Sequence, residues 1–230
     1  GAGFIGLHLA NRLLEEGCHV HLVDNFSRAV DDFELRKTMV RKHSDFSNID
    51  LNDFKEVDSL DSDFEIIFHL SAIIGVTHVI EHPYRVLCEN VRMLTNIIDK
   101  AKKQKHLSRF FFASTSEVYA GTLKYFELPI PTPEHTPLAI NDLSHPRTSY
   151  MLCKIYGEAL CQQAGLPFTL FRPHNVYGPR MGISHVIPEQ LKKAHEAKNL
   201  DDIDVFSTDH TRCFCYIDDA IEMLWRMMIN

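Results

Sequence analysis

GAGFIGLHLANRLLEEGCHVHLVD, residues 1–24, decides how the rest of the chain is read. Glycines 1, 3 and 6 open a helical pattern, LHLANRLLEEG, that Gly17 closes as a C-cap. The next segment, HVHLVD, alternates like a strand and ends in Asp24. Glycine at a helix start lets a pyrophosphate approach the backbone, and an acid after the following strand accepts hydrogen bonds from the adenosine ribose. The glycine string alone would equally serve tight packing. With Asp24 behind it, the stretch reads as a Rossmann fingerprint, with Gly3, Phe4, Ile5 and Gly6 at the cofactor phosphates. A carboxylate at Asp24 would repel a 2′-phosphate, so NAD is favoured over NADP. Arg28, four residues on, reads as a solvated loop charge or as a phosphate contact.

Outward from this stretch, strand-like runs alternate with helical ones. EIIFHL at 65–70, RFFFA at 109–113 and PFTLFR at 167–172 are the strands. RVLCENVRMLTNIIDKAKK and SYMLCKIYGEALCQQAG have helical apolar spacing, so the order β-α-β-α predicts a doubly wound parallel α/β sheet. Ligands in such sheets bind beyond the carboxyl ends of the strands. That rule selects HLSA, STSE and RPHN, which follow the predicted strands. We expect a nucleotide-binding domain over 1–172 and a smaller substrate lobe, mainly 173–230. The fingerprint normally follows a buried strand, so the expectation is a fragment lacking its first strand. The capless apolar helix IDDAIEMLWRMMIN extends that expectation to an incomplete C-terminal lobe.

The chain has 230 residues, 45% hydrophobic and 24% charged, with net charge −7, which suits one sizeable α/β core. Acidity argues against a nucleic-acid footprint, and the basic run KAKKQKH at 100–106 reads as the solvated end of a helix. No segment is apolar enough over sufficient length to cross a membrane. The six cysteines form no C-x-x-C pair; their scatter, including Cys213 and Cys215, fits buried thiols in a reducing cytoplasm. His19 and His21 alternate on one strand face and suggest packing or exposure rather than a metal, and no metal site is expected.

Tyr150 and Lys154 carry the clearest chemistry, because i and i+4 share a helix face. A phenol with a pKa of about 10 needs an adjacent cation to become a useful base. An isolated Tyr-x-x-x-Lys is more often packing than catalysis. Here it follows STSE, whose Ser114, Thr115, Ser116 and Glu117 place hydroxyls and a carboxylate at a strand end, where they would orient a substrate alcohol. A plain polar turn would look similar. The order of glycines, Asp24, hydroxyls and Tyr-x-x-x-Lys favours the catalytic reading.

GAGFIG, VDNFSR, IIFHLSA, ENVRMLTNII, ASTSEVYA, SYMLCK, LFRPHNVYGPRM and TRCFCYIDDA, in this order, resemble the extended short-chain dehydrogenase/reductase family of NAD-dependent sugar-nucleotide epimerases, dehydratases and decarboxylases. Gly3 and Gly6 match the second and third glycines of its T-G-x-x-G-x-x-G. The resemblance implies that Thr115, Tyr150 and Lys154 are the catalytic hydroxyl, base and partner. It implies further that Asp24 and Asn25 hold the adenosine side, and that His69, Leu70, Ser71, Ala72, Asn90 and Pro173 line the cofactor. Asn175 and Arg212 would meet the substrate diphosphate, with Ser116 also on the substrate. The implied activity is an epimerase or dehydratase that makes a transient 4-keto sugar, in a cytoplasmic homodimer. T-S-E also resembles decarboxylases of UDP-uronic acids, in which Glu117 would place the substrate; in a dehydratase it would take the C5 proton. Ser116 departs from the T-D-E of some glucose dehydratases, VYA replaces VYG, and Cys153 replaces a smaller residue. A non-catalytic NAD-binding sensor or scaffold is the reading from another class. Thr115, Tyr150 and Lys154 together count against it, since a sensor needs no proton-transfer apparatus.

Overall fold

The computed structural model describes residues 1–60, 63–197, 203–205 and 208–230. In chain order the elements are α1 (Phe4–Glu15), β1 (Val20–Asp24), α2 (Phe33–Met39), β2 (Ser44–Asn48), α3 (Phe54–Asp58), β3 (Ile66–His69), α4 (Val76–Glu81) and α5 (Pro83–Ala101). Then come β4 (Arg109–Ala113), a 3-10 turn (Ser116–Tyr119), α6 (Ala120–Tyr125), α7 (Thr148–Gln163), β5 (Phe168–Phe171), β6 (Val176–Tyr177), α8 (Val186–Glu196), β7 (Cys215–Tyr216) and α9 (Ile217–Ile229). Every strand and helix expected from periodicity is present. Gly17 closes α1 as expected: it takes φ +86°, its N–H reaches Leu14 O, and the Cys18 N–H reaches Leu13 O at 2.9 Å.

The chain divides into two contact units. The first comprises Gly1, Val23–Ser27 and Phe46–Pro173. Its centre is a parallel sheet in the order β3-β4-β5, with Ile66 opposite Arg109 and Phe110 opposite Phe168. A strand paired on both edges and covered on both faces has no solvent side, and Phe110, Phe111 and Phe112 are all buried. α5 starts on Pro83, which fits the first helical position because its missing N–H would be unpaired there anyway. Its Val86, Met93, Leu94, Ile97 and Ile98 recur at helical spacing and are buried. α7 packs on α5 where Gly157 leaves room. A Cβ there would lie 2.4 Å from the Phe112 ring and 2.9 Å from Leu94.

The second unit comprises Ala2–Leu22, Arg28–Asp45 and His174–Asn230. In it α1 packs on α9, with Arg12 2.7 Å from Glu222 and stacked over Trp225. Asp32 caps α2 by accepting from the Leu35 N–H at 3.0 Å, and also pairs with Arg180 at 2.8 Å. β6 and β7 pair in parallel.

A doubly wound parallel sheet lacking its first strand was expected; among the described residues the strands form β3-β4-β5 and the separate pairs β1-β2 and β6-β7. The structure corrects the sequence on two points. Lys100, read as part of a solvated run, is buried and donates to the Asp58 and Leu60 carbonyls. Cys213, read as a buried thiol, is exposed. No helix among the described residues is long and apolar enough to cross a membrane.

Candidate active site

The parallel register ends β3, β4 and β5 at the same edge: His69 stands opposite Phe112 and Ala113 opposite Phe171. The chain beyond β4 keeps following β5, since the Ser114 N–H reaches Phe171 O at 2.9 Å and the Ser116 N–H reaches Pro173 O. An extended segment turns successive side chains to opposite sides. Ser114 therefore points away from Thr115, and donates to Glu158 at 2.5 Å. Thr115 Oγ1 accepts the Glu117 N–H at 3.2 Å and so caps the 3-10 turn. A hydroxyl used as an acceptor keeps its own proton to donate.

Tyr150 and Lys154 lie one turn apart in α7. The Lys154 side chain is 4% exposed, donates to Ala113 O at 2.7 Å, and stands over the rings of Phe112 and Tyr150 at 4.9 and 5.8 Å. No carboxylate among the described residues forms an ion pair with it. Burial lowers its pKa to about 8, so at neutral pH it is still mainly a cation. A buried ammonium with one carbonyl partner retains donors and charge for a neighbouring phenolate or a ligand hydroxyl.

The remaining candidates take distinct places. His69 is buried, stacked against Phe110 and Phe112, and burial with Lys154 nearby lowers its pKa to about 3. It is a neutral wall rather than an acid or base. Leu70, Ser71 and Ala72 are half-buried beyond it. Asn90 accepts the Ile73 N–H at 2.7 Å and donates to Ile73 O at 3.1 Å, so its amide is occupied in holding that loop. Burial raises the Glu117 pKa while Arg147, 3.7 Å away, opposes the rise. Cys153 donates to Tyr150 O, and burial pushes its thiol up to about 11, which makes it a packing group. Asp24 ends β1, where Oδ1 accepts the Phe26 N–H at 2.9 Å and Oδ2 receives Gly1 N at 2.9 Å. Asn25 is exposed and turns the chain by accepting from the Ser27 N–H.

In the second unit, Gly3 is the N-cap of α1 and a Cβ on it would meet nothing within 4 Å. Phe4, Ile5 and Gly6 form the first turn, which has no side-chain cap and no acidic residue. Open space before an uncapped helix N-terminus fits a phosphate group. Asn175, at φ +22°, donates to Cys213 O at 2.9 Å; Arg212 is exposed and donates to Thr211 O.

Sequence reasoning missed the polar group beneath STSE. Glu158 receives Arg172 through Nε at 2.8 Å and Nη2 at 2.6 Å, and Arg172 also reaches Tyr119 Oη and Glu134 O. The Glu158 side chain is only 5% exposed. Its position gave a signal: Tyr150, Lys154 and Glu158 are successive i+4 positions on one helix face.

A family model described as the NAD dependent epimerase/dehydratase family matches residues 1–230, the whole chain. The chain belongs to that family. Within it, the chain is 36% identical to a UDP-N-acetyl-alpha-D-glucosaminuronate decarboxylase of Bacillus cytotoxicus, across 96% of this chain and 67% of that protein. It is 28% identical to UDP-glucuronic acid decarboxylase 4 of Arabidopsis thaliana, across 99% of this chain and 49% of that one. The chain thus spans about half the length of the plant relative. A solved UDP-glucuronic acid 4-epimerase from Bacillus cereus, in complex with UDP-glucuronic acid and NAD, shares the fold. Its TM-score is 0.79 at 24% identity, covering 100% of this chain and 71% of the epimerase. Each unit taken by itself has groups that suit the NAD of the family name: in the first, the carboxylate of Asp24 and the buried cation of Lys154; in the second, the open end of α1.

Proposed function

We propose that this chain carries the chemistry of an NAD-dependent sugar-nucleotide enzyme that works through a transient ketone at sugar C4. The observation that carries this reading is Lys154, a buried cation one helical turn from Tyr150 and bonded to the end of the strand that leads to Thr115. NAD bound beside these groups supplies a hydride acceptor and later returns the hydride. Tyr150 takes the proton of the C4 hydroxyl, and Lys154 favours the phenolate by its charge. The Thr115 hydroxyl donates to the same sugar oxygen and fixes its direction.

Among the outcomes open to such a ketone, decarboxylation of a UDP-uronic acid is the one we favour over epimerisation or dehydration. Support comes from the likeness to the two decarboxylases. In a 4-keto uronate the carboxylate is β to the ketone. The C5–C6 bond breaks, carbon dioxide leaves, and the electron pair passes into the carbonyl as an enolate that is then protonated at C5.

The test is to incubate the full-length protein with NAD+ and a panel of UDP-, GDP- and dTDP-sugars, and to weigh the products. Loss of carbon dioxide from a UDP-uronate is the expected result. Loss of water, or an unchanged mass with altered stereochemistry, would replace decarboxylation by dehydration or epimerisation. Tyr150→Phe should lower kcat by about 10²–10⁴-fold with NAD binding retained; unchanged turnover would remove Tyr150 from the mechanism.

A further inference from the structure

One pair of side chains joins the 3-10 turn that Thr115 caps to the start of α7, which carries Tyr150. Glu117 lies two residues beyond Thr115 and Arg147 three residues before Tyr150, with Arg147 Nη2 3.7 Å from Glu117 Oε1. Arg147 already has helical backbone angles, φ −64° and ψ −21°. Residues three apart on a helix are neighbours, roughly 5–6 Å between Cβ atoms. Arg147 and Tyr150 therefore occupy neighbouring positions at the start of α7.

The pair is loose. At 3.7 Å it makes no direct hydrogen bond, and the side chains are 52% and 42% exposed. Such a pair contributes at most about 1 kcal/mol, so Arg147 can leave Glu117 for a better acceptor at little cost. A guanidinium offers a planar fork of donors that matches both oxygens of a carboxylate.

We propose that Arg147 selects sugars bearing a carboxylate next to the oxidised carbon, exchanging Glu117 for that carboxylate when the nucleotide sugar binds. The inference rests on the reaction proposed above and adds the residue that would choose its substrate class. In the test, UDP-glucuronate and UDP-glucose are titrated separately into the full-length protein loaded with NAD+, in wild-type, Arg147→Gln and Arg147→Lys forms. Wild type should prefer UDP-glucuronate. Arg147→Gln should weaken UDP-glucuronate by at least about tenfold and leave UDP-glucose within about twofold, because a charged hydrogen bond is lost from one ligand only. Arg147→Lys should keep part of the preference, since it keeps the charge and loses the fork. The proposal is overturned if wild type binds the two equally, if Arg147→Gln weakens both alike, or if it changes neither. Absence of turnover with every nucleotide sugar would sink the proposed reaction while leaving this binding preference standing.

Discussion

The end of β4 and the surroundings of β6 and β7 are built in opposite ways. At β4 the three central phenylalanines are buried, Thr115 caps a turn, Lys154 is sealed against Ala113 O, and Glu158 pairs with Arg172. Around β6 and β7 the strands have two residues each, Arg212 and Cys213 are exposed, and α8 buries none of its residues. The proposed proton transfer would demand fixed geometry, and a packed frame provides it. Asn175 and Arg212, proposed contacts of the substrate diphosphate, sit on or beside short elements with exposed neighbours, where substitution costs little stability.

This contrast can be broken by substitution, starting beneath β4. Arg172→Met should lose about 3–5 kcal/mol in urea unfolding, because it leaves the Glu158 carboxylate buried without its partner. Replacing both, Glu158→Leu with Arg172→Met, should recover most of that loss; a double variant as weak as the single one would mean that the pair is not the cause. Gly157→Ala should cost about 1–3 kcal/mol by the same measurement, since the new methyl would overlap the Phe112 ring. The pH dependence sharpens the contrast further. His69 stays neutral in the fold down to about pH 3, whereas in the unfolded chain it protonates below about 6.5. Between those values the unfolded state binds the extra proton. Stability should therefore fall as pH drops through this window, by at most about 1.4 kcal/mol per pH unit from this group. His69→Leu should flatten that slope, and an unchanged slope would show that the histidine is not its source. The smallest effect belongs to the exposed side: Arg212→Ala should leave stability within about 0.5 kcal/mol, and a larger loss would mean that this region is packed after all.

The same contrast explains what the sequence could convey. β1, β3, β4, α5, α7 and β5 bury one face or both, so apolar periodicity announced them. β2 was missed because SDFSN carries little apolar pattern; it is a strand through pairing, with the Val20 N–H on His43 O and the Ile49 N–H on Asp24 O. Lys100 was misread for a related reason. Its acceptors, the carbonyls of Asp58 and Leu60, lie forty or more residues earlier, and nothing local to KAKKQKH marks them. Tyr150 and Lys154 were legible because one helix carries both. Glu158 could have been added from the same face, but Arg172 could not, since its ion pair arises only when β5 docks beside β4. Arg147 and Glu117 lie on separate elements, so their meeting likewise appears only in three dimensions.

Asn90 shows how little chemistry separates a held loop from a loose one. Its carboxamide meets Ile73 as one backbone unit meets another, giving and taking a hydrogen bond at once. The loop leaving β3 is thereby held by a side chain that imitates main chain. Aspartate has nearly the same shape, but it would bring an acceptor to the Ile73 carbonyl where asparagine brings a donor. The path of HLSAII thus depends on a single nitrogen, and hydrolysis of that one amide would unfasten it.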